Sequence, residues 1–168
     1  MKKFIVACLM LLCATARAEL LRVDANSFVS SHHLEIAATP EVVWRALTQG
    51  LPNWWDAAHS YSGDAANFRL DARAGGCFCE TWEDGSVEHM HIVFVRNNME
   101  LRMSGGLGPL QAMGVAGVMS FSLSSTKAGT TLDYQYTVNG AGGEALANAV
   151  DRVQLGQLLR LKRYVEEG

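Results

Sequence analysis

The sequence predicts an α+β domain, an antiparallel sheet with its helices segregated and a long helix at the end. Three observations carry this prediction. A proline-started helical segment lies in the first third of the chain, about six alternating segments joined by turn signals follow, and Glu144 to Glu167 space their apolar side chains as a helix does.

Leu34-Glu35-Ile36 alternates and predicts the first strand. Thr39-Pro40-Glu41 then marks a helix start, with a capping threonine, proline at the first helical position and an acid in the first turn. The helix runs from Val42 to Gln49 and stops at Gly50. Leu51 to Trp55 reads as a short aromatic helix or turn, and Asn67 to Asp71 as a strand. Trp44, Trp54 and Trp55 are expected to pack the helices onto the core rather than to touch a ligand.

Asp84-Gly85 separates two strand-like runs, Cys77–Glu83 and Ser86–Val95, and is the preferred pair for a two-residue type I′ turn. That register sets Glu80 opposite His89 and Phe78 opposite His91. One face then carries Phe78, Glu80, Trp82, Val87, His89, His91 and Val93. The other carries Cys77, Cys79, Thr81, Glu88, Met90, Ile92 and Phe94. Met99–Ser104, Val118–Ser124 and Thr131–Val138 complete the strands, each with alternating apolar residues. Gly105 to Gly117 is a glycine-rich connection, either an ordinary flexible loop or the gate of a cavity capped by Leu110, Gln111 and Met113. Glu144 to Glu167 is one long helix with Leu146, Val150, Val153, Leu161 and Val165 on a stripe and Gln154 and Gln157 beside it.

Residues 1–18 read as a cleaved sorting signal. Lys2 and Lys3 precede an apolar run from Phe4 to Leu12, too short for a span of about 20 residues, and Ala16-Arg17-Ala18 is a small–x–small cleavage site. Lipid attachment at Cys8 or Cys13 is the rival reading, disfavoured because Cys13 follows Leu11-Leu12 and Cys8 has little apolar chain before it. Cleavage would leave one domain over residues 19–168, periplasmic or secreted. The chain has 14 basic and 17 acidic residues, and loss of Lys2, Lys3 and Arg17 leaves 11 against 17, or about −6. That balance argues against nucleic-acid and anionic-membrane binding.

Only Cys77 and Cys79 would remain after cleavage, in an oxidising compartment. Alternate residues of a flat strand lie roughly 6.5–7 Å apart, near the limit for a disulfide. Packed thiols are therefore expected over a strained bridge.

The chain resembles the SRPBCC, or START-like, superfamily, in particular the branch similar to the activator of the heat-shock chaperone ATPase and to polyketide cyclases and dehydrases. The resemblance rests on Ile36 to Trp44 with Ala46-Leu47, on Trp54-Trp55, on Gly75-Gly76-x-Phe78 leading to Trp82-Glu83-Asp84-Gly85, and on the terminal helix. It covers roughly residues 34–165. It implies a helix-grip fold, a curved sheet of about six or seven strands wrapped around the final helix with a cavity between them. It implies a small apolar or amphipathic ligand, no cofactor, and no universal catalytic set.

In related chains the residue two after the second glycine points into the cavity, which here implies Phe78, Glu80, Trp82, His89 and His91 as ligand-facing. Met103, Leu110, Gln111, Phe121, Tyr134 and Tyr136 complete the expected binding set. Glu80 and His89 form a carboxylate–imidazole pair that would either do acid–base chemistry or serve as a structural ion pair. Two imidazoles and a carboxylate also suit a metal, but the superfamily rarely uses one and none is expected. His32, His33 and His59 read as exposed loop residues. A binding module is preferred to a cyclase or dehydratase using Glu80 and His89. The third reading is an interaction module built on the Cys77, Cys79, Met90, Ile92, Phe94 face, with monomer or weak dimer as the expected state.

Overall fold

The computed structural model describes residues 17–168. The signal expected over residues 1–18 lies outside them, except for Arg17 and Ala18, which open the first strand. In chain order the elements are β1 (Arg17–Val23), β2 (Ser27–Ile36), α1 (Pro40–Gln49), α2 (Leu51–Trp54), β3 (Phe68–Leu70), β4 (Cys77–Trp82), β5 (Gly85–Arg96), β6 (Glu100–Ser104), β7 (Ala116–Thr126), β8 (Gly129–Asn139) and α3 (Glu144–Glu167). The eight strands form one antiparallel sheet in the order β1-β2-β8-β7-β6-β5-β4-β3, and α3 packs on it. The fold is α+β and matches the helix-grip expectation. Among the described residues, no helix is long and apolar enough to cross a membrane.

The sheet gains one strand over the expected count, and β2 is much longer than Leu34–Ile36. Its inward residues are Phe28, Ser30, His32, Leu34 and Ile36, all buried. Two of these are polar, so the apolar alternation that betrays a half-buried strand is interrupted. His32 is therefore not an exposed loop residue. Its Nε2 lies 3.0 Å from Asp151 Oδ1 of α3, and the Ser30 hydroxyl donates to the same carboxylate at 2.7 Å. β7 and β8 follow expectation, with Met119, Phe121, Leu123, Leu132, Tyr134, Tyr136 and Val138 all buried. At the start of α1, Thr39 makes no side-chain cap bond; the N–H groups of Val42 and Val43 reach its carbonyl instead.

The β4–β5 hairpin departs from the expected register. Trp82 pairs with Gly85, so the two-residue turn is Glu83-Asp84, not Asp84-Gly85. Neither turn residue has a positive φ, so this is not a type I′ turn. Glu80 faces Val87 rather than His89. Further along, Cys79 pairs with Glu88 but Phe78 pairs with Met90, which leaves His89 as the extra residue of a β-bulge. The bulge turns both His89 and Met90 inward, and a second irregularity between Ile92 and Phe94 restores the alternation. His91 and Val93 consequently face outward, and Met90 and Ile92 face the core. The outward Cys77, Cys79, Met90, Ile92, Phe94 face is thus not assembled.

Cys77 and Cys79 are 5.4 Å apart at Cα and form a disulfide, which corrects the expectation of free thiols.

Candidate functional site

A cavity of about 480 Å³ lies between the first half of α3 and two loops. This is within the range of roughly 300–1,000 Å³ typical of small-molecule sites. Helix α3 contributes Leu146, Ala149, Val150, Val153 and Gln154. The loop after α2 contributes Trp55 and residues 58–61, and the β6–β7 connection contributes residues 107–110. The sheet adds His89 from β5 and Tyr136 from β8. Among the described residues, no Lys, Arg, Asp or Glu lines this space.

Each loop is held by the sheet. Glu80 is buried, and its carboxylate accepts from the Ser60 hydroxyl at 2.6 Å, from Tyr61 N at 3.0 Å and from Ser62 N at 2.6 Å. On the other side the Tyr136 hydroxyl donates to the Gly105 carbonyl at 3.1 Å and accepts from Leu107 N at 3.0 Å. This close approach requires Gly117, where a Cβ would fall 2.2 Å from the Gly105 carbonyl and 2.9 Å from the Tyr136 ring. Gln111 reinforces the same loop by donating to the Glu88 carbonyl at 2.6 Å.

His89 Nε2 lies 3.1 Å from Glu80 Oε2. Its ring is stacked on Phe68 at 5.0 Å between centroids and lies 5.1 Å from Phe78. Burial pushes the imidazole below its usual 6.5, against the pull of Glu80. Burial also opposes ionisation of Glu80, but the hydrogen bonds from Ser60, Ser62 and Tyr61 outweigh it and lower that carboxyl from 4.5 to about 2. At neutral pH the pair is therefore a neutral imidazole donating Nε2–H to a carboxylate. This fixes the tautomer and leaves Nδ1 as an acceptor with no partner among the described residues.

Of the residues expected to bind or act, the structure brings His89, Leu110 and Tyr136 to the cavity wall, with Glu80 directly behind His89. Phe78, Met103, Phe121 and Tyr134 line a separate void of about 20 Å³ deeper in the core. Three others lie elsewhere. His91 is on the outer face, 3.3 Å from Glu88, because the bulge at His89 reverses the alternation. His89, His91 and Glu80 accordingly do not form one ligand set. Trp82 covers its own turn, where a Cβ on Gly85 would meet the indole at 2.7 Å. Gln111 is exposed and braces its loop rather than the cavity.

Sequence reasoning missed the loop from Ala58 to Tyr61, including His59, which is exposed but stands on the cavity wall. It also passed over Gln154 as a wall residue. The available signal for Gln154 was a glutamine flanking the apolar stripe of α3; the loop carried none, because its place is set by a distant carboxylate.

The family described as "Polyketide cyclase / dehydrase and lipid transport" matches residues 27–166. No curated protein matches the chain. Among solved structures, a putative uncharacterized protein from Rhizobium leguminosarum is 18% identical, with a TM-score of 0.64, covering 92% of this chain and 100% of that one. The Aha1 dimer from Colwellia psychrerythraea is 19% identical, with a TM-score of 0.60, covering 82% and 96%. CalU16 from Micromonospora echinospora is 16% identical, with a TM-score of 0.59, covering 90% and 86%. At these identities the likeness is one of fold.

Proposed function

We propose that this chain, which belongs to the polyketide cyclase / dehydrase and lipid-transport family, is an exported binding protein that holds a small, largely apolar molecule between its sheet and α3. The observation that carries this reading is the 480 Å³ cavity whose wall contains mostly aliphatic and aromatic side chains with a few polar groups, and no Lys, Arg, Asp or Glu among the described residues. A ligand burying about 200 Å² of apolar surface there would gain about 5 kcal/mol from that burial. His89 Nδ1 would orient a donor on the ligand. Export through cleavage after Ala18, and a monomeric or weakly dimeric state, belong to the same proposal.

Enzymatic cyclisation or dehydration is the second reading, favoured by one observation: a neutral histidine on the cavity wall with a fixed tautomer and no partner at Nδ1 among the described residues. In that case His89 would be the general base. Glu80, held ionised by four hydrogen-bonding partners, would orient the ring rather than exchange protons.

Titration with the neutral fluorophore N-phenyl-1-naphthylamine tests the binding reading. Val153 lies on the cavity wall, so Val153→Trp should abolish enhanced fluorescence while the thermal midpoint is retained. Undiminished binding by that variant would place the fluorophore outside the cavity and count against the proposal.

A further inference from the structure

Behind the cavity lies the small void of about 20 Å³, and the two spaces share Trp55 and Gln154 as walls. Two buried groups on the void's wall have no hydrogen-bond partner among the described residues: the Tyr134 hydroxyl and Gln157 Nε2. Gln157 is already committed at its other end, where Oε1 accepts from Asp56 N at 3.0 Å. Its amide NH₂ is thus the free end, and it can only donate. The Tyr134 hydroxyl keeps its proton, because burial raises its pKa well above 10. Unpaired buried donors are costly, and native proteins leave few of them.

We infer that this chamber is a subsite for one uncharged oxygen acceptor, a carbonyl or hydroxyl oxygen, carried at the inner end of the cavity's apolar ligand. The inference rests on the binding reading and narrows it to ligands of one chemical class. An acceptor is required because a hydrocarbon end would leave both donors unpaired. An uncharged one is required because, among the described residues, neither space has a Lys or Arg on its wall to balance an anion. A single oxygen is indicated by volume, since a water-sized group needs about 10–15 Å³ of such space.

The test compares 2-acetylnaphthalene with its hydrocarbon isostere 2-isopropenylnaphthalene, titrated into the full chain. The ketone is expected to bind about tenfold more tightly or better, with its carbonyl stretching band shifted to lower frequency when bound. Tyr134→Phe combined with Gln157→Met should erase both the preference and the shift. The infrared measurement on the unsubstituted protein keeps the test valid if that double variant folds poorly. Equal affinity for the two probes with an unshifted band would overturn the subsite while leaving the cavity reading intact. Binding of neither probe would overturn both. An ordered water between Tyr134 and Gln157 that persists in a crystal structure of the ketone complex would also overturn the subsite.

Discussion

His89 Nε2 and Glu80 Oε2 are 3.1 Å apart although the two residues are not cross-strand partners. Glu80 pairs with Val87, and His89 is the unpaired residue of a bulge. A regular strand would carry the inward alternation through His91. The bulge instead places the imidazole between Phe68, Phe78 and the cavity, and Glu80 fixes its tautomer from behind. The same carboxylate anchors the loop that forms one wall, so ring orientation and wall position share one residue.

Glu80→Gln should therefore affect the whole site. The glutamine NH₂ would meet an N–H donor in a buried position. A loss of about 3 kcal/mol is expected in chemical denaturation at neutral pH. The acid limb changes too. The carboxyl is lowered in the folded state from 4.5 to about 2, so its contribution is complete above about 4.5 and is lost as pH falls from there towards 2. This contribution corresponds to roughly 3 kcal/mol. The variant should lack that segment of the stability–pH curve.

His32, His89 and His33 should titrate apart. His32 and His89 are lowered by burial, which outweighs attraction to Asp151 and Glu80 respectively. His33 is raised, chiefly by its hydrogen bond to Asp133. NMR titration should thus give midpoints below 6.5 for the first two and above 6.5 for the third. Because the unfolded chain binds protons at His32 and His89 first, stability should fall as pH drops below about 6.5. A midpoint for His89 above 6.5 would contradict the neutral-imidazole assignment.

Reduction of the Cys77–Cys79 bridge should be mild. The closed loop contains a single intervening residue, so chain entropy predicts a loss of only about 1.5 kcal/mol. Probe affinity should be unchanged, because neither cysteine lies on the cavity wall. Calorimetry and fluorophore titration with and without a dithiol reductant check both parts.

Tyr136→Phe should loosen the loop on the opposite wall. Two hydrogen bonds, to Gly105 and from Leu107, are removed together, at a cost of about 1–3 kcal/mol. Faster hydrogen–deuterium exchange at residues 105–110, with faster probe entry and exit, is the expected signature of a gate. Faster exchange without any change in probe kinetics would make the loop an ordinary connection.

The strands that bury one apolar face were legible in the sequence. Leu132, Tyr134, Tyr136 and Val138 alternate without interruption, and β8 follows. β2 was mostly hidden because Ser30 and His32 point inward to Asp151, so polarity broke the pattern at the very positions that are buried. The Glu80–His89 pair was legible as two complementary residues on facing strands, but the register that suggested it was wrong. Local turn preference favoured Asp84-Gly85, whereas the folded hairpin closes one residue earlier and absorbs the difference in a bulge. His91 was misplaced for the same reason. The loop from Ala58 to Tyr61 could not be found, since its position depends on Glu80, about twenty residues away.

Native mass spectrometry of the protein purified from its own host, with denatured and chelator-treated controls, tests the central claim most directly. The expected result is a discrete organic adduct that survives chelation, disappears on denaturation and is absent from Val153→Trp. An adduct of metal mass removed by chelator, or an organic adduct retained by Val153→Trp, would contradict ligand binding between the sheet and α3.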